Sequence, residues 1–282
     1  MKLSIITINL NNAAGLQKTI ESVVSQTFAD YEYIVIDGGS TDGSVDVIKR
    51  YADKITYWVS EPDRGIYHAM NKGITLAKGE YCQFLNSGDW IVQPDGLQYV
   101  FDKNPIEDIV YCDVQYYGKP YFFADQLTLR FFFEESISHQ ASFIKRALFS
   151  IYGLYNEKYK IISDWEFFLK AIFKEQCSYR HIQFVLIDYD LNGISSSYLY
   201  EKLNEKEREE GIKEHFPMMF DFYQRLVFLR NSLAKINNTL LEMGKEINVY
   251  KQSRLIQFVR KIQSTGFYRK MNRFKKNNKV GS

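Results

Sequence analysis

The chain has 282 residues, enough for one sizeable α/β domain with an appendage or for two small domains, so its size does not exclude an enzyme. Its composition, 45% hydrophobic and 25% charged with five Pro, is that of a folded globular protein and not of a low-complexity chain. Ten of the 36 Lys and Arg residues and none of the 34 Asp and Glu residues lie in residues 251–282, so residues 1–250 carry a net charge of −8. An acidic body of this kind argues against nucleic-acid binding.

Cysteine usage and the N-terminus both indicate a cytoplasmic protein. The three cysteines, Cys82, Cys112 and Cys177, are too far apart in sequence for a paired metal motif or a disulfide framework. The N-terminus enters an apolar strand without a longer hydrophobic leader, and no window of 18 apolar residues occurs. We therefore expect a chain that works in a reducing compartment and does not span a bilayer.

The first hundred residues alternate strand and helix patterns. Short β-rich apolar runs predict four buried strands: Lys2–Ile8, Tyr31–Ile36, Ile55–Val59 and Tyr81–Leu85. Apolar residues at helical spacing predict the helices between them: Leu16–Val24, Val45–Tyr51 and Tyr67–Leu76. This order predicts βαβ units with right-handed crossovers and a parallel sheet.

Each of these predicted strands is followed by small and polar residues. The four segments are Asn9–Asn12, Asp37–Gly43, Ser60–Gly65 and Asn86–Asp89. Such residues form turns and cap helices, which would account for any one segment. Four strand exits that all carry acids or amides predict a ligand site, because parallel α/β sheets bind ligands beyond the carboxyl ends of their strands.

The second half of the chain has a different pattern. It predicts a helix at Gly96–Phe101, a strand at Asp108–Tyr117, an aromatic stretch at Phe131–Gln140, a helix at Ile162–Lys174, a strand at Ile182–Ile187 and a charged helix at Tyr200–Phe216. Beyond residue 197 nearly the whole chain is helical in pattern. We therefore expect an α/β domain at 1–196 and a helical C-terminal region at 197–282.

Four segments in this order resemble the motifs of family-2 glycosyltransferases: Ser4–Asn9, Ile36–Gly43, Glu61–Gly73 and Phe84–Asp89. The resemblance covers about the first 195 residues. It implies a GT-A fold, a Rossmann-like, mostly parallel nucleotide-binding sheet flanked by helices, with a donor half at about 1–92 and an acceptor half at about 93–196. The implied activity is inverting transfer from a nucleotide-diphosphate sugar to a glycan or lipid-linked acceptor, in bacterial capsule, O-antigen or exopolysaccharide synthesis.

The resemblance also implies which residues contact the donor. Asp37 would accept hydrogen bonds from the nucleotide base, although an Asx turn into the following glycines is the alternative. For Lys72 the alternative is a solvated helix face. The full implied donor-binding set is Thr7, Asn9, Asp37, Asp63, Arg64, Asn71, Lys72 and Ser87.

Asp89 is the implied metal ligand, holding Mg²⁺ or Mn²⁺ against the diphosphate. Asn86 and Gly88 stand where the fuller family motif has acids, so the predicted site relies on one carboxylate. Capping of the following segment is the alternative role for Asp89.

An inverting transferase needs a base for the acceptor hydroxyl, and the resemblance implies Asp164. Ser163 stands where the first acid of the family motif often is, and Glu166 is the rival base on another face of the helix. Capping of the following helix is the alternative role for Asp164.

On the acceptor side the resemblance places His139, Gln140 and Trp165, although a lone His in an aromatic stretch is commonly structural. Residues 190–196 resemble the segment that closes over the donor in this family, and an ordinary exposed loop is the alternative.

The basic residues of 251–282 interleave with apolar ones, which favours cationic amphipathic helices. We expect them to lie at an anionic membrane surface, with the protein peripheral at the inner face of the cell membrane. A helical arm that forms a homodimer is the alternative.

Two other functions fit parts of the sequence. A non-catalytic nucleotide-sugar-binding or scaffold subunit would explain the acids missing at Asn86, Gly88 and Ser163. A sugar nucleotidyltransferase would need a basic Gly-rich loop after the first strand, and residues 9–15 contain no basic residue.

Overall fold

The structure is a computed structural model that describes residues 1–116, 118–190, 198–252, 256–258 and 260–261. The chain divides into two compact units, Met1–Met218 and Met219–Ser282. The segment 191–196, which was expected to close over a donor, and most of the basic tail lie outside the described residues.

Four strands and three helices alternate in the first part of the chain. Their bounds are β1 Leu3–Asn9, α1 Ala13–Val24, β2 Tyr31–Asp37, α2 Ser44–Arg50, β3 Tyr57–Ser60, α3 Ile66–Leu76 and β4 Tyr81–Phe84. The strands are parallel and lie in the order β3-β2-β1-β4. All seven residues of β1 are buried, because a central strand covered on both faces needs an apolar run without alternation. The predicted βαβ units are confirmed.

The remaining strands extend the same sheet. The next elements are β5 Trp90–Ile91, α4 Gly96–Phe101, β6 Ile109–Tyr116, β7 Lys119–Tyr121, α5 Leu129–Glu134, β8 Ser142–Lys145, α6 Arg146–Tyr152, α7 Ser163–Leu169 and β9 Tyr179–Tyr189. Within the described residues the sheet continues beyond β4 in the order β4-β8-β6-β9-β5, and β7 pairs with β6 outside this order. The long β6–β9 ladder is parallel, whereas the pairings of β8, β7 and β5 are antiparallel. The mostly parallel α/β class predicted from sequence is confirmed.

The predicted helix at Ile162–Lys174 is not a single α-helix. It begins at Ser163 with Ile162 as its N-cap, and after Leu169 it continues as a π-helical turn, Lys170–Lys174. Ala171 and Ile172 in this turn are buried, as are Trp165–Leu169 of α7 before it.

Two long helices follow β9. Helix α8 covers Tyr198–His215 and belongs to the first unit, where the Cα of Gly211 packs against the Trp165 ring. Helix α9 covers Phe220–Gln252 in the second unit. Among the described residues, no helix combines the length and the apolar character that a bilayer crossing requires.

Candidate active site

A cavity of about 720 Å³ opens where β1 and β4 end, a volume in the range of small-molecule sites. The exits of β1, β3 and β4 contribute to its wall, whereas the exit of β2, which the sequence also predicted there, does not line it. The predicted site residues that line it are Asn9, Asp63, Ser87, Asp89, His139, Gln140, Asp164 and Trp165.

Asp164, the second residue of α7, is held by two side chains from other elements. Its Oδ1 accepts a hydrogen bond from the Tyr67 hydroxyl at 2.8 Å, and its Oδ2 lies 2.7 Å from His139 Nδ1. The Tyr67 hydroxyl also lies 2.5 Å from the carbonyl oxygen of Ile161. The N-cap of α7 is Ile162, so Asp164 does not act as the helix cap.

The electrostatics of this cluster keep Asp164 ionised at neutral pH. Burial raises the pKa of its carboxyl, but the hydrogen bonds and charge interaction with His139, together with the Tyr67 bond, hold the pKa below its ordinary value. An ionised carboxylate only accepts hydrogen bonds, so His139 Nδ1 carries a proton. The other ring nitrogen of His139 lies 3.2 Å from Asn86 Nδ2. The amide at position 86 therefore contacts the ring without adding charge to the cluster.

Asp89 lies after β4 and precedes strand β5, so it does not cap a helix. Its side chain is buried at the cavity, and burial raises the pKa of the carboxyl to about 7. Asp89 Oδ1 accepts a hydrogen bond from the backbone N–H of Asp190 at 2.9 Å. A Cβ at Gly88, whose φ is +110°, would come within 2.6 Å of Asp190 Oδ2. The glycine therefore lets a second carboxylate lie close to Asp89.

This pair is a partial set of ligands for a hard divalent cation. Among the described residues, no group of three or more His, Cys, Asp or Glu side chains is arranged to hold a metal ion. Two neighbouring carboxylates at a polar cavity, one of them strongly desolvated, fit an ion whose other ligands come from phosphate oxygens.

The carboxylate of Asp37 points into the protein and does not line the cavity. It is fully buried and accepts hydrogen bonds from Asn9 Nδ2, the backbone N–H groups of Gly39 and Ser40, and the hydroxyls of Ser40 and Ser60. Burial raises its pKa, but these bonds together hold the pKa below its usual value. The Asx-turn alternative is therefore present in the structure, and base binding by Asp37 stays a prediction.

Four more of the implied donor residues also lie outside the lining of the cavity. Each has a protein partner: Thr7 with Tyr33, Arg64 with Glu157, Asn71 with Tyr155, and Lys72 with Glu61. The structure thus brings together three of the eight implied donor residues at the cavity, Asn9, Asp63 and Ser87.

Glu166, the rival base, points away from the cavity lining. Its Oε1 lies 2.6 Å from Nε2 of His215 in α8, and both side chains are nearly buried. This contact joins α7 to α8 and leaves Asp164 as the carboxylate of α7 at the cavity.

Two important cavity residues were not identified from the sequence. Tyr67 lies within the Glu61–Gly73 segment that carries the resemblance, so its position was available as a signal. Arg208 lies in the charged helix α8 and had none. Its guanidinium lies 4.9 Å from the centre of the Trp165 ring, and it donates to the carbonyl oxygens of Phe132 and Glu135.

Solved structures of low sequence identity share this fold. The mannosyltransferase PcManGT from Pyrobaculum calidifontis, in complex with GDP-Man and Mn²⁺, aligns with a TM-score of 0.62 at 15% identity, over 93% of this chain and 84% of that one. Residues 1–349 of TarS from S. aureus, in complex with UDP-GlcNAc, align with a TM-score of 0.60 at 18% identity, over 79% of this chain and 73% of that one. The GT-A-like fold implied by the sequence is confirmed.

Sequence comparison assigns the family. A PGL/p-HBAD biosynthesis glycosyltransferase of Mycobacterium bovis is 32% identical over 206 residues, covering 71% of this chain and 80% of the relative. An uncharacterized glycosyltransferase of Mycobacterium tuberculosis is 34% identical over 213 residues, covering 69% and 77%. The family model of glycosyl transferase family 2 matches residues 4–162, more than half of the chain. The chain therefore belongs to glycosyl transferase family 2.

Proposed function

We propose that this glycosyltransferase transfers a sugar from a nucleotide-diphosphate donor with inversion at the anomeric carbon, and that Asp164 is the general base. The observation that carries the proposal is the Asp164 carboxylate at the cavity, oriented by Tyr67 and His139 and with a pKa held below its ordinary value. A base that is ionised at neutral pH and fixed in direction is suited to one proton transfer.

The proposed reaction requires a single displacement. The acceptor hydroxyl gives its proton to Asp164 while its oxygen forms a bond to the anomeric carbon, and the bond to the diphosphate breaks with the electron pair leaving on phosphate. Each Asp164 oxygen accepts one side-chain hydrogen bond, from Tyr67 or His139, and a carboxylate oxygen has capacity for a second. A carboxylate so placed can therefore accept the acceptor proton without releasing either bond.

The donor binds, in this proposal, at the strand exits that form the cavity wall. Asn9, Asp63 and Ser87 supply polar atoms there, and the two solved structures of similar fold are complexes with UDP-GlcNAc and with GDP-Man. Asp37 acts beneath this wall by fixing Asn9, Ser40 and Ser60. The Asn9–Asp37 bond would thus position a side chain that touches the donor.

We further propose that Asp89 and Asp190 hold Mg²⁺ or Mn²⁺ with the donor diphosphate. The chemistry of this carboxylate pair supports the assignment, as does the Mn²⁺ named for the mannosyltransferase. A divalent ion there would stabilise negative charge on the departing nucleoside diphosphate. Gly88 serves the same site by leaving room for Asp190.

The proposed acceptor is a glycan or a lipid-linked glycan of a bacterial surface polysaccharide, and the proposed location is the inner face of the cell membrane. The ten basic residues of 251–282, without one acid, support attraction to anionic lipid. His139, Gln140 and Trp165 are the proposed acceptor-side residues, and Arg208 above the Trp165 ring joins them.

The experiment that tests this function is a screen of UDP- and GDP-sugars with Mn²⁺, read as thermal stabilisation and then as slow donor hydrolysis without acceptor. A donor at a hundredfold over its dissociation constant should add about 2.7 kcal/mol of stability. We expect one donor class to stabilise the protein and to be hydrolysed by the wild type more than by Asp164→Asn. Stabilisation without hydrolysis above background would instead favour a non-catalytic sugar-nucleotide-binding subunit.

A further inference from the structure

Helix α9 carries an apolar seam with the spacing of a coiled coil. From Leu226 to Ile247 apolar residues recur at alternating intervals of three and four, and Tyr250 continues the pattern in sequence. The members of this seam are Leu226, Leu229, Leu233, Ile236, Leu240, Met243 and Ile247. An interval pattern of this kind repeats every seven residues, or 3.5 residues per turn, which keeps one narrow row facing a partner helix.

The seam is exposed from Leu229 to Ile247, and Leu226 is half-buried. Leu233 is 60% exposed and Leu240 is 59% exposed, and Leu229, Ile236, Met243 and Ile247 are all close to half exposed. A continuous exposed row of large apolar side chains marks an interaction surface, because its burial removes apolar area from water. Three other exposed apolar residues that follow Leu226 in α9, Phe228, Leu241 and Val249, lie off the seam.

Charge argues against a membrane as the occupant of this seam. Between Leu226 and Ile247 the helix has three basic residues, Arg230, Lys235 and Lys245, and two acidic ones, Glu242 and Glu246. An interfacial membrane helix combines a wide apolar face with a strongly cationic polar face. Here the seam is narrow and the helix is nearly neutral, in contrast to residues 251–282.

The sequence beside the seam fits a second copy of the same helix. With Leu226, Leu233, Leu240 and Ile247 at the first heptad position a, four of the flanking e and g positions hold the short neutral residues Ser232, Asn237, Thr239 and Gly244, which allow close approach of two helices. Three more are charged: Arg225 and Glu246 at g, and Arg230 at e. In an antiparallel pair Glu246 meets Arg225 of the second copy, whereas a parallel pair would set Arg225 against Arg230. The charges therefore favour an antiparallel pair.

We propose that α9 is a coiled-coil segment through which copies of this glycosyltransferase associate. Each copy supplies the same seam of about three heptads, so the partner is matched in length and period. The described part of α9 is 33 residues, about 50 Å of helix, which is long enough to make such a pairing stable. The inference goes beyond the proposed catalytic function and does not depend on it.

The test is the mass of the full-length protein in solution, by analytical ultracentrifugation across micromolar concentrations. We expect a mass of at least twice that of the chain. The double substitution Leu233→Glu with Leu240→Glu should give a monomer, because it buries charge in the seam. Its matched control, Asn231→Glu with Asn238→Glu, places the same charges on the opposite face and should keep the wild-type mass.

A second, milder double substitution tests whether a monomer results from loss of the seam contacts and not from unfolding of the helix. Leu233→Ala with Leu240→Ala keeps high helix propensity and should raise the dissociation constant on the order of a hundredfold or more. A monomeric wild type, or seam variants that associate like the wild type, would overturn the proposal. So would a monomer whose binding to anionic phosphatidylserine vesicles is lost with the seam substitutions, because the seam would then be a membrane surface.

Discussion

The Asp164 carboxylate is subject to two opposing effects on its pKa. Burial favours the protonated acid, whereas His139 first and Tyr67 second favour the carboxylate, and the pKa ends below its ordinary value. The ionised form is the one that can act as a base, so in the proposed mechanism this pair of hydrogen bonds would extend activity toward low pH.

Removing His139 should therefore change the pH profile. In His139→Ala the contact that most lowers the pKa of Asp164 is lost, while burial still raises it. The pKa of Asp164 therefore rises, and the acidic limb of kcat/KM moves to higher pH. The pH dependence of kcat/KM measures this directly. Tyr67→Phe removes one neutral hydrogen bond and should move the limb in the same direction by less. A drop in rate with an unmoved acidic limb in both variants would mean that neither side chain sets the proton affinity of the base.

Two isosteric substitutions distinguish Asp164 from Glu166 as the candidate base. Asp164→Asn keeps an oxygen for the Tyr67 hydroxyl and should preserve donor affinity, while transfer falls by about 10²–10⁴-fold. Glu166→Gln should be mild, because Glu166 bonds to His215 and does not line the cavity. Steady-state transfer kinetics and donor titration decide between them. Loss of transfer in the Glu166 variant alone would assign the base to Glu166.

At the scale of elements, helix α8 supports the segment that leads into α7. Glu207 is buried and accepts hydrogen bonds from the backbone N–H groups of Lys160 and Ile161 at 2.9 and 3.1 Å. Ile161 in turn accepts the Tyr67 hydroxyl bond beside Asp164. A carboxylate from α8 thus accepts hydrogen bonds from two backbone N–H groups of the segment that leads into α7.

Glu207→Ala should lower the free energy of unfolding by about 2–3 kcal/mol, because two charge-assisted hydrogen bonds to a buried carboxylate are lost. Glu209→Ala on the same helix removes only an exposed i,i+4 pair with Lys213 and should cost less than about 0.5 kcal/mol. Urea denaturation of both variants provides the comparison. Equal losses would show that Glu207 acts only through helix propensity.

The turn after β4 offers a second element-scale prediction. Gly88→Ala places a Cβ against Asp190 and should weaken Mn²⁺-dependent nucleotide binding about tenfold or more, since strain of this kind costs about 1–3 kcal/mol. Gly43→Ala is the control, with a φ of +97° and no atom within 4 Å of the added Cβ. The Gly43 variant has the same unfavourable positive φ, but its new Cβ contacts no neighbouring side chain. Titration calorimetry with Mn²⁺ and nucleoside diphosphate should find binding weakened only at Gly88.

At the scale of the whole molecule, charge and cavity belong to different parts of the chain. Every residue that lines the cavity falls within Met1–Met218, while ten basic residues fall within 251–282. This separation predicts that the part of the chain with the cavity binds the donor and that the basic residues of 251–282 attach the protein to an anionic surface.

Deleting residues 251–282 should therefore leave donor affinity unchanged and abolish flotation with anionic liposomes. Each basic residue near an anionic surface contributes about 1 kcal/mol, and salt should weaken the wild-type binding. Neutral phosphatidylcholine liposomes are the control and should retain neither protein. Equal flotation of the two proteins with anionic liposomes would exclude the tail as the anchor.

The sequence determined the βαβ order and the edge of the sheet where the site lies. The reason is that the carboxyl ends of parallel strands lie at the same edge of a sheet, regardless of the sequence of the loops. Asn9, Asp63, Ser87 and Asp89 follow from that rule alone.

Only the tertiary structure decided which side chains meet there. Asp164 joins Tyr67 and His139 across 97 and 25 residues of sequence, and Arg208 arrives from a helix whose pattern gave no sign of a site. Asp37, by contrast, turns inward, where its carboxylate accepts hydrogen bonds from Ser40 of its own loop, from Asn9 of β1 and from Ser60 of β3. Sequence spacing fixes which face of an element a residue occupies, but the direction in which that face points depends on how the elements pack.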